Sequence, residues 1–195
     1  MLSGCKVDIP RAHEGLEANT LTLSGGSLTV VAEDDGINAQ NGRNEPVVEV
    51  KGGVLDITVG TGDNDAIDSN GNFIMSGGFA VVRSGGSVTG AGSVEVKGRV
   101  SVTGGTLLAF GQICDLPADG SVNGLIARGK TFASGDYQFS GAEGAFYDFS
   151  LSTDYTSCWL ASDRLELGGD YSLTAGGAPV LGWNQSAWFT ESSGN

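Results

Sequence analysis

One phrase, written four times, restricts this 195-residue chain more than any other feature: a short strand, a Gly-Gly pair, and a second strand. It reads LTLSGGSLTVV at 21–31, VEVKGGVLDIT at 48–58, FIMSGGFAVVR at 73–83 and VSVTGGTLLAF at 100–110. LSGCKVDI at 2–9 is an earlier copy in which Gly4-Cys5 replaces the pair. The pairs at 25–26, 52–53, 77–78 and 104–105 are separated by 27, 25 and 27 residues, steps too irregular for an array of helical hairpins. Apolar and polar residues alternate with period two inside each copy, as in a half-buried strand. Such a unit cannot bury its own apolar face, but coils stacked on one another can. The spacing therefore predicts an all-β chain: a parallel β-helix of about 25–27 residues per coil over residues 1–115. Strands in neighbouring coils should pair in register about 4.8 Å apart, so five coils would stand roughly 20–25 Å tall. Glycine marks the corners, where positive φ is needed.

Composition changes after Leu116-Pro117-Ala118-Asp119-Gly120. The first 131 residues hold three aromatics, Phe73, Phe79 and Phe110, and the remaining 64 hold twelve. Alternating segments such as YQFSG (137–141), FYDFSLS (146–152), RLELGGDYSLTAGG (164–177) and SAWF (186–189) replace the Gly-Gly phrase. A solenoid end exposes strand edges and open core, so residues 116–195 are expected to form a small antiparallel β cap. Trp159, Trp183 and Trp188 are expected to fill its core rather than to form a sugar-stacking platform. Cys5, Cys114 and Cys158 lack CxxC spacing and neighbouring histidines, which argues against zinc and for three small buried hydrophobes. Leu2-Ser3-Gly4-Cys5 has the form of a lipoprotein cleavage site. Only Met1 precedes it, and Met1 is read as a start placed on an excised domain.

The net charge of -13, from 23 acids and 10 bases, argues against nucleic acid as a partner and against an anionic membrane surface. No apolar run is long enough to span a bilayer. Many of the acids fall in a turn that recurs with the coils. His13-Glu14-Gly15-Leu16-Glu17-Ala18-Asn19 aligns with Asp34-Asp35-Gly36-Ile37-Asn38-Ala39-Gln40 and with Asn64-Asp65-Ala66-Ile67-Asp68-Ser69-Asn70. Read down the stack, Leu16, Ile37 and Ile67 should enter the core, while Gly15, Gly36 and Ala66 leave a flush outer wall. Glu14, Asp35 and Asp65 form one acidic column; Glu17, Asn38 and Asp68 form a second, facing the opposite way.

Two carboxylates about 4.8 Å apart repel by roughly 3–4 kcal/mol at an effective dielectric near 20. The chain must splay such groups into water, protonate one, hydrogen-bond them to turn amides, or bind a cation between them. A hard cation with carboxylate, amide and carbonyl oxygens suits the composition, and calcium fits best. Carboxylates that cap turn N–H groups without metal are the alternative. An EF-hand loop begun at Asp63 fails at Ile67, and the calcium nonapeptide is approached only once, at GTGDNDAID (60–68).

Taken together, HEGLEANTLTLSGGSLTVVAEDDGINA (13–39), GDNDAIDSNGNFIMSGGFAVV (62–82) and VSVTGGTLLAFG (100–111) resemble a known family. It comprises bacterial secreted carbohydrate-binding domain proteins built as right-handed parallel β-helices of pectate-lyase-like shape. GGDYSLTAGG (168–177) resembles that family's C-terminal strand. The resemblance implies a calcium-binding protein, extracellular or at the cell surface, that attaches to plant cell-wall polysaccharides such as cellulose and polygalacturonate. It implies calcium ligands among Asp34, Asp35, Asn38, Asp63, Asp65 and Asp68, with Glu14 and Glu17 in the less similar first turn. It also implies that the chain is the C-terminal half of a longer solenoid. Cys5 and Ala66, where glycine is usual, and His13 depart from the pattern.

A β-helix does not by itself decide function. As a non-catalytic binding module, the chain would offer a polar groove bearing Asn38, Gln40, Asn41, Asn70 and Asn72 to a polysaccharide. As a calcium-dependent lyase it would need a base beside the acids, for which Lys51, Arg43 and Arg83 are the candidates. As a surface scaffold or adhesin segment it would use calcium only for stiffness. The binding module is the expectation carried forward, with no catalytic residue assigned.

Overall fold

The computed structural model describes residues 1–40, 42, 44–85, 91–118 and 122–193, and these form strands and connections without helix. Five long strands stack parallel: β1 (Cys5–Ala12), β3 (Thr20–Ala32), β5 (Val47–Val59), β7 (Asn72–Ser84) and β9 (Val100–Phe110). Four short ones stack beside them as a second parallel sheet: β2 (Leu16–Ala18), β4 (Ile37–Ala39), β6 (Ile67–Ser69) and β8 (Val94–Val96). Each coil is thus one long strand followed by one short strand, and the predicted β-solenoid is the observed one.

The Gly-Gly pairs bend β3, β5, β7 and β9 near their middles. Gly26, Gly53, Gly78 and Gly105 all take positive φ, between 80° and 89°. Stacking adds a second constraint. A Cβ on Gly53 would lie 2.6 Å from the Gly26 carbonyl oxygen, and one on Gly78 would lie 2.6 Å from that of Gly53. The corner therefore needs glycine for both conformation and space. Cys5 pairs with Gly26, so Gly4-Cys5 does occupy the place of the pair in the first coil.

The core is a set of aliphatic columns running up the stack. Leu23, Val50, Met75 and Val102 form one, and Val30, Ile57, Val82 and Ala109 another. Under the short sheet run Leu16, Ile37, Ile67 and Val94, of which the last three are fully buried. At about 1.5–3 kcal/mol for each buried aliphatic side chain, one column supplies stabilisation of the same order as the carboxylate repulsion beside it.

The long sheet does not stop at the last coil. β13 (Tyr155–Ser162) adds antiparallel to β9, β10 (Asn123–Phe132) pairs with β13, and β16 (Phe189–Ser193) closes the edge, giving eight strands. Trp159, Ala161, Val122 and Ile126 join the solenoid core and close its upper end. A separate antiparallel sheet follows the order β12 (Gly144–Leu151), β11 (Gly135–Gly141), β14 (Asp170–Ala175), β15 (Ala178–Asn184). Its Tyr137, Phe139, Phe149, Leu173 and Trp183 share a second core with Phe79, Val81, Leu108 and Phe110 from the outer face of the long sheet.

This double coverage explains the continuous apolar runs FAVV and TLLAF in β7 and β9: both faces of these strands are buried. Earlier coils are covered on one face only, which leaves Val31 and Val54 exposed. Trp159 and Trp183 fill core as expected, while Trp188 is 38% exposed. The cysteines depart from expectation. Cys158 is buried and its thiol is pushed well up by burial, but Cys114 is only half-buried and Cys5 is exposed at the first corner.

Candidate functional site

The acidic turns lie where each long strand hands over to a short one. Their backbones form a ladder up the stack: Gly15 N–H donates to Asp35 O, Gly36 N–H to Asp65 O and Ala66 N–H to Gly92 O. In-register pairing places Glu17, Asn38, Asp68 and Glu95 above one another. Glu95 was not among the sequence candidates. Its signal was the coil step itself, since it follows Asp68 by the same 27 residues that separate the third and fourth glycine pairs.

The first column is Glu14, Asp35 and Asp65, and it ends at Gly92, which has no side chain. The two aspartates reach up to the turn above: Asp65 N–H donates to Asp35 Oδ1 at 2.9 Å, and Gly92 N–H donates to Asp65 Oδ1 at 2.5 Å. Asn38 Nδ2 donates to the other Asp35 oxygen at 3.3 Å. These acids thus cap backbone amides, but of the next coil rather than of their own turn.

Two expectations about facing need correction. Gly15, Gly36 and Ala66 point inward rather than forming a flush outer wall. A Cβ on Gly15 would meet Val30 at 2.4 Å, one on Gly36 would meet Ile57 at 2.3 Å, and Ala66 is fully buried in the core. The two acidic columns share a face instead of opposing each other. Asp35, Asp63, Asp65, Asp68, Asn70, Glu95 and Lys97 line one cavity of about 380 Å³. Period-two alternation does not survive the turn between Asp35 and Asn38, and that is why both facings were misassigned.

The electrostatics of this wall are strained. Burial pushes the Asp65 carboxyl up to about 8, with Glu95, Asp35 and Asp68 adding to the effect against the pull of the Gly92 amide. Burial likewise raises Asp35 to about 6, helped by Asp68, Asp34 and Glu14 and opposed by the Asp65 amide. Asp68 and Glu95 are raised as well, chiefly by burial, and Lys97 draws Asp68 back down. Among the described residues, two buried oxygens at the wall accept no hydrogen bond: Glu14 Oε2 and Asn38 Oδ1. Asn38 is only 8% exposed.

Among the described residues no three acidic, histidine or cysteine side chains converge into a finished metal-ligand set. The donors are nonetheless all hard oxygens, two of them orphaned and several desolvated, and that chemistry fits calcium. Asp35, Asp65, Asp68, Glu95 and the Asn38 amide oxygen are the residues able to serve.

The remaining sequence candidates divide. Asp63 and Asn70 belong to the cavity. Asp34 lies beside His13 instead, its Oδ2 3.7 Å from Nδ1. Glu17 is exposed and accepts a hydrogen bond from Gln40 Nε2 at 3.1 Å. Asn72 is tied into the stack at the start of β7, donating to Glu45 Oε1 at 3.0 Å and accepting from Arg99 N–H at 3.0 Å. Asn41 and Arg43 lie outside the described residues. Lys51 pairs with Glu49, and Arg83 is buried against Asp56, so neither approaches the acidic cavity. Lys97 is the one base that lines it among the described residues.

A stacked-coil solenoid carrying a polar, acid-lined wall is the class that fold and site define. The profile of the family described as "Carbohydrate-binding domain-containing protein" matches residues 1–141, and the chain belongs to that family. No curated protein and no solved structure shows significant similarity to it.

Proposed function

We propose that the protein is a non-catalytic polysaccharide-binding module, secreted or displayed at the cell surface, whose coils are held together by calcium on the acidic wall. Family membership over residues 1–141 is the observation that carries the binding half of this reading. The metal half is supported by the desolvated Asp35 and Asp65 carboxylates and the orphaned Glu14 and Asn38 oxygens. Bound calcium would neutralise the wall, and Asp35, Asp65, Asp68, Glu95 and Asn38 would hold it. These residues come from three successive coils, so their role is to tie turns together along the stack. Plant cell-wall glycans are the ligand class named by the sequence resemblance.

Affinity electrophoresis through gels containing polysaccharide tests the reading. Retardation by at least one cell-wall polysaccharide, without breakdown of that polymer, is the expected result. Migration identical to that in plain gels for every polymer, with and without calcium, would contradict it. Lys97 within the acidic cavity supports one second reading, a calcium-dependent lyase with this amine as base. Polygalacturonate incubated with protein and calcium would then develop the ultraviolet absorbance of an unsaturated product, and Lys97→Ala would abolish it.

A further inference from the structure

Where the antiparallel sheet overhangs the outer face of β5, the structure forms a groove of about 520 Å³. That lies within the size range of small-ligand sites. From its geometry we infer that this groove, and not the acidic wall, seats a neutral, hydroxyl-rich glycan chain; the inference rests on the polysaccharide-binding reading above. The groove shares no residue with the acidic cavity. Its β12 and β14 walls lie beyond residue 141, where the family match ends, while Asp56 and the β11 residues lie within it.

The polar lining is ordered by strand register. Gln138 on β11 stands opposite Asp148 on β12 and Thr174 on β14, and Asp136 stands opposite Ser150. Three strands carry this row across about 10 Å. Gln138 Nε2 donates to Asp148 Oδ1 at 2.9 Å. The second Gln138 N–H and the second Asp148 oxygen then form a donor and acceptor side by side, which matches a pair of vicinal hydroxyls.

Asp56 supplies the opposite wall, and it is held from behind. Arg83 is 2% exposed; its Nη1 donates to Asp56 Oδ1 at 2.5 Å and also to Ile57 O and Thr58 Oγ1, both at 3.3 Å. A guanidinium is costly to bury, and this one fixes a carboxylate that still faces the groove. Arg83 is a positioning residue here.

Charge selects the ligand class. Asp56, Asp136 and Asp148 line the groove, no Lys or Arg among the described residues lines it, and Arg83 is sequestered behind Asp56. A uronate chain would be repelled, and an apolar ligand would strand the carboxylates and amide without partners. A neutral sugar polymer satisfies both constraints.

The test uses the whole chain in chelator and, separately, in calcium, with hydroxyethyl cellulose, xyloglucan, galactomannan and polygalacturonate as probes. The variant Asp136→Ala/Gln138→Ala/Asp148→Ala changes exposed or half-exposed positions, and its melting is checked against the parent. Retardation of the parent by a neutral polymer is expected, with affinity in the triple variant falling by roughly tenfold or more. Glu143→Gln, at an exposed acid that lines neither the groove nor the acidic cavity, should leave that binding unchanged. Neutral-polymer binding that survives in the triple variant would overturn the inference. So would binding confined to polygalacturonate and calcium, which would leave the module reading intact. No retardation by any polymer, with or without calcium, would overturn both.

Discussion

The stacked coils and the antiparallel sheet are both made of short strands joined by glycine turns, yet glycine does different work in each. In the stack, Gly78 holds φ at 89° and presses against the backbone of the coil below. In the hairpin between β14 and β15, Gly176 holds φ at 56° with nothing within 4 Å of where a Cβ would stand. A solenoid repeats its constraints because every coil is the floor of the next; a free hairpin answers only to its own dihedral angles. The same contrast governs charge. Acids in the stack are forced above one another and lose water, whereas Asp136 and Asp148 on the outer sheet remain exposed.

Substituting the two glycines breaks this comparison most sharply. Gly78→Val should cost at least ~4 kcal/mol, because strain at positive φ adds to a backbone clash that the stack cannot relieve. Gly176→Ala should cost about 1 kcal/mol, from the dihedral angle alone. Urea denaturation of both variants measures the difference, and equal losses would sink the stacking argument.

Next in size is the seam between the regions. Phe79 projects from β7 and stacks on Tyr147 of β12, with ring centroids 4.2 Å apart and an interplanar angle of 6°. Phe79→Ala should destabilise by about 3 kcal/mol. The antiparallel sheet should lose hydrogen-exchange protection before the solenoid core does; uniform loss throughout would mean that the two regions unfold as one.

The acidic wall gives an effect of the opposite sign. Asp65 titrates near 8 in the folded chain, far above an unfolded aspartate. The folded state therefore binds the extra proton, and stability of the chelated protein should fall as pH rises from about 4 to about 8, then level off. Asp35, raised to about 6, contributes the lower part of that fall. Asp65→Asn keeps an acceptor for the Gly92 amide and removes the desolvated charge. It should stabilise the chelated protein by about 1–3 kcal/mol at pH 8 and leave it nearly unchanged at pH 4. Thermal melts across that range read the effect, and a flat profile for both proteins would refute it.

Much of the solenoid was legible because its information is periodic. The Gly-Gly spacing gave the coil length, and the positions of Leu16, Ile37 and Ile67 gave a core column that the structure reproduces. Extending that period by one more step would have found Glu95. The facing of Gly36 and Ala66 was lost because strand alternation was carried through a turn that does not obey it. The groove was invisible for a different reason. Asp56 and Asp148 are 92 residues apart, and only the folding of one sheet over another brings them together. A hint did exist in the contrast between LTVV, with its exposed Val31, and the buried FAVV two coils higher.

The central claim is that the acidic wall holds calcium in the folded protein, and thermal melting of the chelated chain with calcium or magnesium added tests it most directly. At a hundred times the dissociation constant, calcium should raise the melting temperature by roughly 5–10 °C. Magnesium should do far less, and Asp65→Asn/Asp68→Asn should abolish the calcium shift. Identical melting temperatures with calcium, magnesium and chelator would contradict the claim and leave Asp35 and Asp65 as caps on the amides of the coil above.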